Sequence, residues 1–490
     1  MNDWSPATVP NGFFDTATFG SSNKTNVTLS ATTNVSEIVF NPGASTFIIS
    51  LDPSTYLTIS GAGITNNSGL IQTFVTDNGG EITFSSNATA GDIFFPNGRV
   101  VFTGTSTAGN ATFVNDSPGS GSGFGSEEFQ NSSTAGNATI TNNADGGVTF
   151  VSNSSAGNAI ITNKPGGYTT FNESSYGPAN GGNATIINDG SSTSLRGGGS
   201  TVFGHDSFAA NATLVAKSGS NGGSGGKIFF KEYAKGGTAR IELFGNGLLN
   251  IGYNFSRLGG VTVGSIEGDG QIFLGWEALT VGSNNLSTIF SGVIQDGGSL
   301  IKIGRGVLTL ANSNTYTGGT IIKKGTLLAA TNAGSATGTG SVQVVNSATL
   351  GGPGRISGSV TVGDGTHAGA SLLGGSNATT RGTLSIDNTL TFKSLSTYRC
   401  VLNRTSGNAS RINAVGVTIN NGANFTFVES GMGTLAPGTV LMVISNISAS
   451  PFAGTFANLP DGSTLTSNGN TFKVNYQGND GNDLTLTVVR

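Results

Sequence analysis

The chain has little of almost every residue on which common protein chemistry is built. It carries one cysteine, Cys400, so neither an internal disulfide nor a thiolate metal site can form. Its two histidines, His205 and His367, stand far apart in sequence. Charged residues fill only 10% of 490 positions, against about 25% in ordinary soluble proteins. The net charge of −4 and the lack of a basic run argue against nucleic acid and anionic membrane as partners. No run of about 18 apolar residues is present, which excludes a membrane-spanning helix. The opening "MNDWSPATVPNGFFD" lacks a basic-then-apolar signal sequence. Helical periodicity is nearly absent too, and abundant glycine and β-branched residues disfavour helix throughout.

What the chain does have is short, recurring, uncharged phrases. Glycine supplies 79 residues without collagen's every-third spacing, and 29 of the 39 aromatic residues are Phe. Strands such as "GEITF", "GGVTF" and "GGYTTF" end in Phe84, Phe102, Phe129, Phe150, Phe171, Phe203 and Phe230. About ten residues after such a strand comes a second phrase, "STAGNATF" at 106–113 and "STAGNATI" at 133–140. Its asparagines are Asn110, Asn137, Asn158, Asn183 and Asn211, separated by 27, 21, 25 and 28 residues. A period in this range indicates a solenoid, one coil per repeat. Strands this short cannot bury a face alone, whereas coils stacked at about 4.8 Å place like residues in columns. The expected fold is therefore all-β: a long parallel β-helix. Phe102, Phe150, Phe171 and Phe203 belong to an interior column. The five asparagines form a hydrogen-bonded ladder at a turn, with glycine beside them supplying left-handed backbone.

Four segments follow from the changes of phrase. Residues 1–80 form an N-terminal cap and first coils, and 81–245 the TAGNAT-type coils. Residues 246–430 form further β-helix, and 431–490 a small antiparallel cap with hairpin turns at Asp461-Gly462 and Asn468-Gly469. A cap covers the last open strand edge, which would otherwise invite aggregation.

Residues 299–330 closely resemble the autotransporter-associated β-strand repeat, also called the passenger-associated transport repeat. The resemblance rests on Leu300, Lys302, Gly304, Gly306 and Leu308-Thr309-Leu310. It continues through Asn314, Thr315, Tyr316, Thr317, Gly318, Gly319 and Thr320 to Gly325-Thr326-Leu327. More loosely, the opening phrase from Trp4, the TAGNAT coils, "GSIEGDGQIFLG" and the closing "GNDGNDLTLTVV" are similar to large bacterial surface proteins with this repeat. The resemblance implies a right-handed β-helical passenger, secreted or displayed on the cell surface, whose repeat is associated with export and carries no catalytic residue. Neither a signal peptide nor an anchor or translocator barrel is expected within this chain, since about 60 residues after 430 cannot form one.

β-Helices also host polysaccharide lyases and glycoside hydrolases, which need clustered carboxylates about 5 to 9.5 Å apart or a calcium site. The candidates here are isolated: Glu127-Glu128, His205-Asp206, Asp269, and Asp364 with His367. Each reads as a solvated turn residue, and His205-Asp206 in "FGHDSF" as an interruption of a coil. "GNDGND" at 478–483 reads as a hairpin turn rather than a calcium site, and Cys400 as a small buried hydrophobe. No cofactor, metal or catalytic residue is expected. The expected function is a non-enzymatic extracellular β-helical passenger or adhesin-like surface or matrix protein, a monomer. Its expected partners are extracellular polysaccharide or cell-surface ligands. The alternative is a carbohydrate-active β-helix enzyme, lyase or glycoside hydrolase, or a carbohydrate-binding module.

Overall fold

The computed structural model describes residues 8–76, 79–116, 125–174, 177–254, 259–331, 333–377 and 379–490. Trp4 of the opening phrase lies outside them. Every regular element among the described residues is a strand, most of three or four residues. The chain divides into two compact units, 1–256 and 257–490.

In the first unit, one face of the solenoid is a parallel sheet holding the Phe-ending strands. Glu81–Phe84, Arg99–Phe102, Ser126–Phe129, Gly147–Phe150, Tyr168–Phe171, Ser200–Phe203 and Lys227–Phe230 pair in unbroken register. A second parallel face holds Thr112–Asn115, Thr139–Asn142, Ile160–Asn163, Thr185–Asn188, Thr213–Ala216 and Arg240–Leu243. Between the faces the coil turns through single parallel bridges that link Thr89, Thr107, Thr134, Ser155, Asn180, Phe208 and Lys235. Burial alternates along most strands, so the second and fourth positions of each are interior.

This alternation stacks the phenylalanines. Ring centroids from Phe84 to Phe230 follow one another at 4.5 to 5.1 Å with planes within 10° of parallel. All seven rings are fully buried. A strand repeat near 4.8 Å forces like side chains to that separation, and flat rings can fill it without voids.

The second unit is also a stack of parallel coils. One sheet runs Val261–Val263, Ala278–Val281, Ser299–Lys302, Thr320–Ile322, Val342–Val344, Val360–Val362, Leu390–Phe392, Val417–Ile419. Leu300, Ile322, Leu308 and Leu327 are buried where the first unit stacks rings, and Phe392, Tyr398, Phe425 and Phe456 form an aromatic cluster further along the unit. The C-terminal sheet is mixed rather than purely antiparallel. Val440–Asn446 joins Arg411–Ala414 in parallel, and only Asp483–Val488, Asn470–Gly478 and Thr464–Ser467 add antiparallel strands. The last coil thus extends into the cap through continued parallel pairing. Asn468-Gly469 makes the expected hairpin turn, both residues at positive φ. Asp461-Gly462 instead precedes Thr464–Ser467 and is tied to Asn470–Gly478, Asp461 Oδ1 accepting from the Tyr476 amide at 3.0 Å.

Candidate functional site

The phrase T-A-G-N-A-T resolves into one task per residue. The hydroxyls of Thr107, Thr134 and Ser155 each accept the amide two residues on, at 3.1 Å, closing a tight local turn. Gly109, Gly136 and Gly157 then take φ of 60 to 62°, and a Cβ on any of them would approach the preceding coil's glycine carbonyl within 2.8 Å. Glycine meets both constraints without strain, whereas on the Asn211 coil Ala210 holds the same place at φ 53°. The alanines on either side, such as Ala135 and Ala138, are buried. The asparagine between them faces solvent and hands its amide down the stack. Asn137 donates to Asn110, Asn158 to Asn137, Asn183 to Asn158 and Asn211 to Asn183, at 3.1 to 3.2 Å.

A second asparagine row runs inside. Asn115 donates to Asn142 at 2.8 Å, Asn142 to Asn163 at 2.7 Å, and Asn163 to Asn188 at 2.8 Å. The hydroxyls of Thr169 and Thr201 reach this row from the Phe face, each 2.9 Å from an asparagine Oδ1. Glu127 joins at one end, accepting from Asn115 Nδ2. It was expected to be a solvated turn residue, and it is instead an interior strand residue in the column of Val100 and Val148. Phe129, two positions on, fixes that inward direction. Desolvation pushes its carboxyl up to about 8, with the Asn115 hydrogen bond opposing. Glu128 points outward and binds Arg99 at 2.7 Å.

His205-Asp206 does not interrupt a coil. His205 takes φ 52° at the same corner where Asn131, Ser152 and Glu232 take 54 to 61°. Its Nδ1 lies 2.8 Å from Glu232 Oε2 on the adjacent coil. Asp364 accepts the amides of Thr366 and His367, each at 2.8 Å, and pairs with His367 Nδ1 at 2.7 Å. Those amides chiefly hold its carboxyl well below the usual range. Asp269 is in the turn between Ser265–Gly268 and Gln271–Phe273. Asp483 of "GNDGND" is buried; one oxygen accepts the Asn446 amide of the neighbouring strand and the other the Asn479 side-chain amide within the hairpin, so both are engaged in the cap. Cys400 is buried, its thiol pushed up to about 12 by desolvation. Among the described residues no three His, Cys, Asp or Glu side chains group as a metal would require.

The repeat at 299–330 is built on the same logic with different parts. Lys302 is buried in register with Val281 and Ile322, and its Nζ turns to the carbonyls of Ile303, Gly304 and Lys324 at 2.5, 3.1 and 3.2 Å. Desolvation lowers its pKa to about 8. Asn314 spans three coils: its Oδ1 accepts the Ile294 amide and its Nδ2 donates to the Ala336 carbonyl, both at 2.7 Å. Thr315 and Thr317 donate their amides to Ile294 and Asp296. Tyr316 is fully buried, and its hydroxyl shares a 2.6 Å hydrogen bond with Thr320. Gly304 and Gly325 sit at φ 69° where coils touch, and Gly306 and Gly318 meet backbone carbonyls just as closely. Gly319 takes φ 85° and accepts the buried Leu300 amide.

Residues 300–329 match the family model described as the passenger-associated-transport-repeat. No curated protein matches the chain. Among solved structures, the chain is similar to the Haemophilus influenzae Hap adhesin at 12% identity and a TM-score of 0.25. That alignment covers 94% of this chain and 64% of the adhesin chain, less than two thirds of its length. A likeness of that degree bears on neither fold nor function.

Proposed function

We propose, from the passenger-associated transport repeat at residues 300–329, that the chain is a non-enzymatic β-helical passenger of a bacterial secreted or surface-displayed protein. One observation carries this reading. Three polar side chains of the repeat, Lys302, Asn314 and Tyr316, are buried and bonded to their own or neighbouring coils, while Arg305, Lys323 and Lys324 are exposed. The motif therefore serves cohesion between coils. In such a stack each coil completes the hydrogen bonds of the one before, so folding proceeds coil by coil. A chain emerging through an outer membrane can then fold progressively on the far side, which opposes its return. The exterior, rich in Thr, Ser and Asn, suits contact with polysaccharide or cell-surface ligands, and the chain acts as a monomer.

The test places the chain between a signal peptide and an outer-membrane translocator and measures surface display. Deleting 299–330, or combining Asn314→Ala with Tyr316→Ala, should lower display and expose the passenger to protease. Undiminished display would refute the export role. Cleavage of a polysaccharide by the purified chain, abolished by Asp206→Ala, would replace the non-enzymatic reading by the carbohydrate-active one.

A further inference from the structure

Charge is spread along the chain in a way that the export reading does not require. Between residues 297 and 428 stand ten lysines and arginines against two acidic residues, Asp364 and Asp387, a net charge of +8. The whole chain is at −4, so the remainder carries −12. Both of those acids are already engaged. Asp387 pairs with Arg355 at 2.7 Å, and Asp364 holds His367 and two amides of its own turn.

One corner of the second unit gathers this charge. Lys302 ends its strand in register with Ile322 on the next coil, so the turns 303–306 and 323–325 lie one upon the other. Lys323 donates its amide to the Lys302 carbonyl at 2.8 Å. A Cβ on Gly325 would come within 2.9 Å of the Gly304, Arg305 and Gly306 backbone. Arg305, Lys323 and Lys324 are exposed on these turns, and beneath them the Lys302 ammonium sits among carbonyls. Four positive charges thus occupy two coils about 4.8 Å apart. No carboxylate among the described residues pairs with Arg305, Lys323 or Lys324. The corresponding turns on either side carry the uncharged Asn285 and Asn346.

Elsewhere the chain does not leave its cations so. At least eight others lie 2.7 to 3.9 Å from a carboxylate. Where charges meet on successive coils their signs alternate, as in Glu81, Arg99, Glu128 and in Lys164, Asp189, Lys217. Like charge stacked on like charge is the costly arrangement, and an anion from outside the chain relieves it.

The surroundings select the kind of anion. Neither turn carries an aromatic side chain, on which a single-stranded nucleic acid would stack. Among the described residues no large apolar side chain between Ile289 and Leu395 is exposed, so nothing is offered to the interior of a membrane. The strands leaving the corner turn the hydroxyls of Thr309 and Thr326 outward instead. Arg305 presents a planar fork that takes a carboxylate in two hydrogen bonds. We infer that this corner binds an acidic polysaccharide, its carboxylates held by Arg305, Lys323 and Lys324 and its hydroxyls by the neighbouring threonines. The surrounding net charge of +8 draws such a polymer in and makes the encounter sensitive to salt.

This rests on the polysaccharide contact proposed above, to which it adds a place and a charge, and it is tested on the purified chain. Binding to alginate, a polymer of uronic acids, is measured beside neutral dextran over a range of salt, with a melting curve for each variant. The parent should bind alginate, release it as salt rises, and ignore dextran. Lys323→Gln with Lys324→Gln should weaken binding roughly tenfold or more, and Lys323→Arg with Lys324→Arg should retain it. Lys164→Gln with Lys217→Gln, which removes the same charge from the first unit, should leave binding unchanged. Failure of the parent to bind alginate overturns the inference, as does full binding by the folded Gln variant at 323 and 324. Equal binding to dextran overturns it too, while leaving an uncharged polysaccharide as the partner. Binding to vesicles of anionic lipid in preference to alginate assigns the corner to a membrane and likewise overturns it. None of these outcomes touches surface display, so the export reading stands or falls separately.

Discussion

Asn115 donates its side-chain amide to the carboxyl of Glu127 inside the solenoid, in a column otherwise held by Val100 and Val148. This carboxyl ionises near 8 in the folded chain and near 4.5 when exposed, because burial penalises the charged form. Between those values the folded state holds a proton that the unfolded state has released. Stability from this group is therefore complete below about 4.5 and falls as pH rises to about 8. The total is on the order of 5 kcal/mol. Melting temperature should decline across that window, and Glu127→Gln should flatten the decline. An unchanged profile in the variant would show that other groups set it.

Phe150 lies 4.8 Å from both Phe129 and Phe171. Phe150→Ala should cost about 3–5 kcal/mol, since the rings above and below cannot close the gap without breaking strand register. Phe150→Asp adds an unpaired buried charge and should make the first unit protease-sensitive. Equal resistance in parent and variant would refute the ring column as a source of stability.

The two asparagine rows offer a controlled comparison. Asn158→Ala removes two exposed hydrogen bonds whose partners can turn to water, and should cost at most about 1 kcal/mol. Asn163→Leu strands Asn142, Asn188, Thr169 and the Ser200 carbonyl inside the core, and should cost roughly 3 kcal/mol or more. Chemical denaturation of both variants measures the difference.

In the transport repeat, Gly304→Ala should be severe for a methyl group. The added Cβ would lie 1.9 Å from the Gly282 carbonyl, at φ 69°. Lys302→Met is milder, leaving three carbonyls short of a donor at about 1–3 kcal/mol. Thermal melts should rank Gly304→Ala below Lys302→Met, and both below the parent.

Cys400 should ignore a thiol reagent at pH 8 in the native chain and react fully in denaturant, because its thiol is buried and pushed up to about 12. Rapid native labelling would contradict the burial of the thiol, whose Sγ lies 3.5 Å from the Ser410 carbonyl.

Residue parity explains what could be read in the chain and what could not. Phe ends its strands at regular spacing, and an apolar residue declares its own direction, so the ring column is legible. Asn115, Asn142, Asn163 and Asn188 each follow an exposed asparagine by five positions. Five is odd, so each must point inward if the first points outward, but polarity alone suggests the opposite. Glu127 is masked in the same way: two positions before Phe129 it shares that ring's direction. Lys302 shares a side with Leu300, yet nothing local says that its ammonium finds three carbonyls. Buried polar groups are set by partners a coil away, and one coil in isolation does not contain them.

From Phe102 to Asn110, Phe129 to Asn137, Phe150 to Asn158 and Phe203 to Asn211 the count is always eight residues, whereas Asn110 to Phe129 takes 19 and Asn137 to Phe150 takes 13. Most variable segments leave after the inner asparagine row and return before the next Phe strand, at one corner of the cross-section. One, in the twelve residues from Phe171 to Asn183, lies instead between a Phe strand and its asparagine turn. Extra sequence can be grafted at 189–199 or 217–226 without moving a ring, a ladder or a turn on the other two corners. The chain is in that sense a display rack with one open side, and peptides of chosen length inserted there would be presented side by side at the spacing of the coils.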